Sequence, residues 1–100
     1  MIKHDRYVEE LCASIEPDYD VLQRHVPLFS KRNRCVAEID ILAMKEDYVD
    51  IYEVKCSHRI AKARRQLKKI TKLLSTTSNV RHVFFFCGES GKLVAVPMNQ

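Results

Sequence analysis

The sequence predicts one α/β domain, a restriction-endonuclease-like arrangement of a mixed sheet flanked by helices in the order α-β-β-β-α-β-β. Three observations carry that expectation. An amphipathic helical segment opens the chain. Three strand-like runs follow, the second and third separated by a polar link short enough for a hairpin. A second amphipathic helix then lies between the third and fourth strands, as a parallel crossover requires. At 100 residues the chain has the length of a single domain, 1–100, and a core small enough that a second subunit would help it.

The elements can be justified in order. Residues 4–15 place Val8, Leu11, Cys12 and Ile15 at helical spacing, and Pro17 and Asp18 end the helix. Asp20 to Leu28 alternates loosely, as a strand does, with Pro27 near its end. Ser30 to Arg34 is polar and basic and reads as a loop. Val36 to Met44 (VAEIDILAM) and Tyr48 to Cys56 (YVDIYEVKC) are strands, with a tight turn over Lys45 to Asp47. Arg59 to Leu74 is a helix whose apolar stripe is Ile60, Ala63, Leu67, Ile70 and Leu74. After a polar linker, Ser75 to Asn79, Val80 to Cys87 contains the run VFFFC and reads as a buried strand. Gly88 to Gly91 is a turn and Lys92 to Pro97 a last strand. Tyr48, Tyr52 and Phe84 to Phe86 are read as core.

Composition narrows the class. A chain that is 46% hydrophobic, with two glycines and three prolines, is neither disordered nor low in complexity. No stretch approaches the roughly 18 apolar residues of a membrane span, and Met1 to Glu10 has no signal-peptide core. The expectation is a cytoplasmic protein whose four scattered cysteines are buried thiols. Charge is uneven. Residues 59 to 72 hold Arg59, Lys62, Arg64, Arg65, Lys68, Lys69 and Lys72 and no acid, so against a net charge of +4 the remainder is acidic. Seven cations without i,i+4 acids repel one another, and phosphate contacts would relieve that. A solvated helix face is the plain alternative. Lys31, Arg32 and Arg34 extend the basic patch.

The hairpin carries the chemistry. A two-residue turn at Glu46-Asp47 pairs Lys45 with Tyr48, Asp40 with Glu53 and Glu38 with Lys55, gathering three carboxylates and an amine. Adjacent carboxylates repel unless a cation lies between them. Mg²⁺ suits such hard oxygen ligands, and a neighbouring lysine can position water or stabilise charge on phosphate. An E-x-K on an exposed sheet would be only a solvated ion pair worth under ~1 kcal/mol. Here apolar strands surround it, and buried charges need a partner.

Val36 to Ser57, VAEIDILAMKEDYVDIYEVKCS, resembles the core motif of the PD-(D/E)xK nuclease superfamily. Asp40 matches its aspartate, and Glu53-Val54-Lys55 its E-x-K. Within the superfamily the chain is most similar to archaeal Holliday junction resolvases and small viral relatives, which carry an acid on the first helix. The resemblance implies a metal-dependent DNA endonuclease leaving 5′-phosphate and 3′-hydroxyl ends, acting on duplex or branched DNA in recombination or repair. It implies Asp40 and Glu53 as ligands of Mg²⁺, with Mn²⁺ substituting, alongside the Val54 carbonyl and Glu38. Lys55 would be catalytic. Glu9 is the preferred first-helix acid, since it flanks the apolar stripe whereas Glu10 points away from it. Gln66 matches a glutamine that relatives place near the site. Arg59, Lys62, Arg65, Gln66 and Lys69 would contact nucleic acid. Two active sites, hence a homodimer, would serve symmetric cutting.

The chain departs from the pattern in having Ile39, preceded by Glu38, where the family often has glycine or proline. No junction-recognition element stands out. A non-catalytic nucleic-acid-binding module on the same fold, or an assembly protein with charged surface pairs, would lack metal affinity. Cys35, Cys56 and His58 lack the paired spacing of structural zinc sites.

Overall fold

The computed structural model describes residues 2–98. Its elements are α1 (Lys3–Ile15), β1 (Val21–Phe29), β2 (Cys35–Lys45), β3 (Tyr48–Lys55), α2 (Ile60–Leu74), β4 (Val80–Cys87) and β5 (Lys92–Ala95), with a 3₁₀ turn at Glu16–Asp18. The five strands form one sheet in chain order. All neighbours are antiparallel except β3 and β4, which are parallel and joined through α2. This is the α/β restriction-endonuclease-like order that the sequence predicts. The last strand is shorter than expected, ending at Ala95.

Each helix covers one face of the sheet. Tyr7, Val8, Leu11, Cys12 and Ile15 of α1 pack on Ile41, Ala43, Tyr52 and Val54. Ala63, Leu67, Ile70 and Leu74 of α2 pack on the other face, against Ile39, Leu42, Ile51, Val83 and Phe85. The apolar stripes read from the sequence are the faces that are buried. Of the thiols, Cys12 and Cys87 are buried, Cys56 is half-buried and Cys35 is exposed. Cys35 corrects the expectation of four buried thiols, because it lies where the β1–β2 hairpin runs beyond the core.

The hairpin register is as expected, Lys45 opposite Tyr48 and Ile41 opposite Tyr52. Glu46 adopts a left-handed φ of 51° at the turn. Its N–H donates to Asp20 Oδ2 at 2.9 Å, which holds the turn against the start of β1.

One irregularity shapes the rest. Alternation along a strand should keep Leu22 and Val26 on one face. Instead Leu22 packs with α1, and Val26 and Leu28 with α2. On β2, Ile41 and Ala43 face α1 whereas Ile39 and Ala37 face α2. Both strands exchange faces where His25 lies across from Asp40, and His25 has a φ of 54°. A residue without a β-branch, such as histidine, tolerates that left-handed conformation at a cost of about 1–2 kcal/mol.

Candidate active site

The site lies at the C-terminal end of β3, beside the N-terminus of α1 and the point of face exchange in β1 and β2. The β2–β3 ladder ends at Ile41–Tyr52. One residue further, the Asp40 side chain replaces the missing backbone acceptor: Val54 N–H donates to Asp40 Oδ2 at 2.8 Å. The Val54 carbonyl points the same way and accepts from His4 Nε2 at 2.9 Å, in the tautomer that protonates Nε2. His4 Nε2 is also 3.5 Å from Asp40 Oδ2. Asp40 and Glu53 are both buried, at 7% and 3% exposure. Glu53 lies beside Asp40, close enough for the Asp40 carboxyl to act on it electrostatically. Lys55 Nζ stands 3.6 Å from Glu53 Oε2.

Burial pushes the Glu53 carboxyl up to about 9, aided by the hydrogen bond and the charge of Asp40, and Lys55 only partly opposes this. Two charges side by side in this buried place are disfavoured, so the pair calls for a proton or a cation. A divalent cation suits the same place: two carboxylates and a free carbonyl lone pair are hard oxygen donors of the kind Mg²⁺ and Mn²⁺ take.

A second donor set shares Asp40. His25, Glu38 and Asp40 each offer one ligand atom, all within 4.8 Å of one another. His25 Nδ1 lies 3.2 Å from Glu38 Oε1, and its Nε2 lies 3.7 Å from Asp5 Oδ1. Asp5 also lies 3.7 Å from His4 Nδ1. Imidazole in the set suits a transition metal better than Mg²⁺. The cluster is compatible with a divalent metal centre.

The structure brings Asp40, Glu53, Val54 and Lys55 together, as the sequence suggests. Glu38 is nearby, but its partner is His25, not Lys55, because β2 leaves β3 at Asp40 and exchanges faces there. Glu9 is exposed and bound to Arg24 at 2.6 Å, and Glu10 is 3.8 Å from Arg6. The first-helix acid closest to the cluster is Asp5, one turn earlier than Glu9.

Arg59, Lys62, Arg65, Gln66 and Lys69 are exposed on α2 or just before it, and Lys31, Arg32 and Arg34 at the hairpin tip. Among the described residues no cysteine joins a cluster of three metal-ligating groups. Cys35 pairs with Phe29 of β1, and the β2–β3 ladder ends at Ile41–Tyr52, well short of Cys35 and His58. Sequence reasoning does not single out His4, Asp5 or His25. His4 is four residues before Val8 and so continues the buried stripe of α1, which is a usable signal. His25 carries none, since its position depends on a backbone conformation that histidine does not announce.

Among the described residues no helix is long and apolar enough to cross a membrane. No protein-family model matches the chain, and no curated protein matches it in sequence. The topology and the His/Glu/Asp cluster resemble the PD-(D/E)xK nuclease fold family in general.

Proposed function

We propose that the chain is a divalent-metal-dependent endonuclease that hydrolyses DNA phosphodiester bonds, with branched DNA as the preferred substrate and a homodimer as the working assembly. The observation that carries this reading is the pair of buried carboxyls where β2 and β3 part, Asp40 held by the Val54 N–H and Glu53 with the Lys55 amine 3.6 Å away. A binding module has no use for buried acids that repel phosphate.

Asp40, Glu53 and the Val54 carbonyl would hold Mg²⁺ or Mn²⁺, with Glu38 and His25 contributing on the far side of Asp40. When bound, such an ion lowers the pKa of water and offsets charge on the scissile phosphate. Lys55 donates hydrogen bonds to the attacking water and to the non-bridging oxygen on which charge grows. The Val54 N–H bond fixes the Asp40 carboxylate so that it needs no reorganisation. His4, whose Nε2 donates to the Val54 carbonyl, would stand beside such an ion. Arg59, Lys62, Arg65, Gln66 and Lys69, exposed on α2 or just before it, would contact the phosphate backbone.

The test is cleavage of a labelled four-way junction and a matched linear duplex in Mg²⁺, Mn²⁺ or EDTA, by wild type and Lys55→Ala. Metal-dependent nicking that drops by about 100-fold or more in the variant is expected. Binding of both substrates without metal-dependent cutting would leave a nucleic-acid-binding module instead.

A further inference from the structure

We propose that the tip of the β1–β2 hairpin is a base-stacking wedge, with Phe29 as the stacking side chain and Lys31, Arg32 and Arg34 as its phosphate clamp. The inference rests on the nucleic-acid reading of the site and adds to it the kind of DNA that is recognised: one with an unpaired or unstackable base.

Phe29 is 55% exposed although its neighbour Leu28 packs into the core under α2. The register slips between them, with Leu28 opposite Ala37 but Phe29 opposite Cys35. Such a bulge re-aims a side chain, here out of the sheet and into solvent. A single exposed phenylalanine is unremarked on most surfaces. This one sits in a stretch, Arg24 to Ala37, that contains no acid. Arg24 is taken by Glu9. Among the described residues Lys31, Arg32 and Arg34 have no carboxylate partner. An apolar ring beside three unpaired cations matches the surface of a nucleotide, a flat base beside a phosphate.

The tip is also built in advance. Ser30 N–H donates to the Arg34 carbonyl at 2.8 Å and Asn33 N–H to the Ser30 carbonyl at 2.9 Å. Ser30 Oγ accepts from the N–H groups of Arg32 and Arg34 at 3.2 and 3.4 Å. Asn33 closes the turn with a φ of 62°, a conformation asparagine tolerates. Little ordering is therefore left to be done on binding.

Its place in the fold fits the role. The hairpin runs past the C-terminal end of β3, the end that carries Asp40, Glu53 and Lys55. From Asp40 to Cys35 is five residues of β2. At about 3.3 Å per residue that sets the wedge roughly 17 Å from the carboxylates, about five nucleotide steps. A strand cut at the site would pass the ring a few nucleotides from the scissile bond.

The experiment uses Phe29→Trp, which supplies the chain's single tryptophan. Its emission is followed in EDTA while four-way junction, gapped duplex, linear duplex or phosphatidylglycerol vesicles are added, with binding read in parallel by anisotropy of labelled DNA. Stacking predicts strong quenching by junction and gapped DNA and little by linear duplex or vesicles. Phe29→Ala is expected to weaken junction binding by about tenfold or more, and linear duplex binding far less. Saturable DNA binding by Phe29→Trp with unchanged tryptophan emission overturns the wedge and leaves the nuclease reading standing. Quenching that persists in a protein unable to cut with any metal upholds the wedge and removes the nuclease. Emission that responds to vesicles but not to DNA overturns the wedge in favour of a membrane contact, and absence of any DNA binding overturns both readings.

Discussion

Substituting Glu53 by glutamine should make the metal-free protein more stable in mild alkali, the reverse of what loss of a buried ion pair does. The carboxyl titrates near 4.5 when unfolded and is raised to about 9 in the folded chain by burial and by Asp40. Between those values the unfolded state releases a proton that the folded state keeps. Folding stability therefore falls as pH rises through that window, by at most about 1.4 kcal/mol per pH unit. From pH 5 to pH 8 the ceiling is about 4 kcal/mol, a large share of the roughly 5–15 kcal/mol that holds a domain this size. Glutamine cannot ionise, keeps the shape, and can still donate to Asp40. Urea unfolding in EDTA across pH 5–8 should show wild type losing stability relative to Glu53→Gln, with the two curves converging near pH 5. Mg²⁺ or Mn²⁺ at pH 8 should restore wild type and leave the variant unmoved, because the ion replaces the proton. Parallel pH profiles for the two proteins would refute the reasoning, since Glu53 would then be ionised alongside Asp40 without a cation.

Three further outcomes are expected. Asp50→Ala removes the buried acceptor of Tyr19, the His82 N–H and the exposed Arg81, and should destabilise by about 1–3 kcal/mol; differential scanning calorimetry would show a fall in Tm of roughly 5–20 °C, and an unchanged Tm would make the network incidental. Gly88→Ala would place a Cβ 2.1 Å from the Tyr7 ring, against the face of α1. It should cost about 1–3 kcal/mol in urea unfolding, recovered in part when Tyr7 is shortened to leucine. Arg65→Ala combined with Lys69→Ala should weaken DNA binding alike for every sequence and flatten the salt dependence of log K by roughly two units of slope; an unchanged slope would move the DNA off α2.

What can be read from the sequence is whatever depends on periodicity. The stripes of α1 and α2 repeat every three or four residues and are the buried faces. The β2–β3 register follows from a two-residue turn, since a one-residue slip would put Ile41 and Tyr52 on the wrong face. That register brings Asp40 to Glu53. The same extrapolation fails for Glu38 because it assumes a continuous ladder. The ladder stops at Ile41, and β1 and β2 turn over together beside a single left-handed residue, His25. Alternation counts residues and does not register a change of backbone sign, so the approach of His25 to Glu38 and Asp40 has no pattern to reveal it. Glu9 follows from helical angle alone. The angle is sound, but Arg24 of β1 lies at that height of the helix, and the cluster lies a turn lower, beside His4 and Asp5.

Two buried carboxylates three residues apart on β3 show what the rest of the chain has done with each. Asp50 is fully enclosed, and burial alone would raise its pKa. Yet Arg81 meets it through Nε and Nη2 at 3.1 and 2.6 Å, Tyr19 O–H at 2.5 Å, and His82 N–H at 2.9 Å, and it stays below the usual carboxylate range. The fold therefore supplies a complete partner set to a buried acid where stability is the only demand. Glu53 is almost as enclosed and receives one amine at 3.6 Å together with a second acid. Replacing Asp40 by asparagine would let the side-chain amide donate to Glu53, and the raised pKa would relax at no cost in volume. The sequence keeps two acids there, opens the ladder beside them, and holds His25 in a strained conformation at the same point. Charge deficit, an interrupted sheet and backbone strain coincide within a few residues. A packing requirement would explain any one of them; a divalent cation held in that gap, as proposed above, would explain all three.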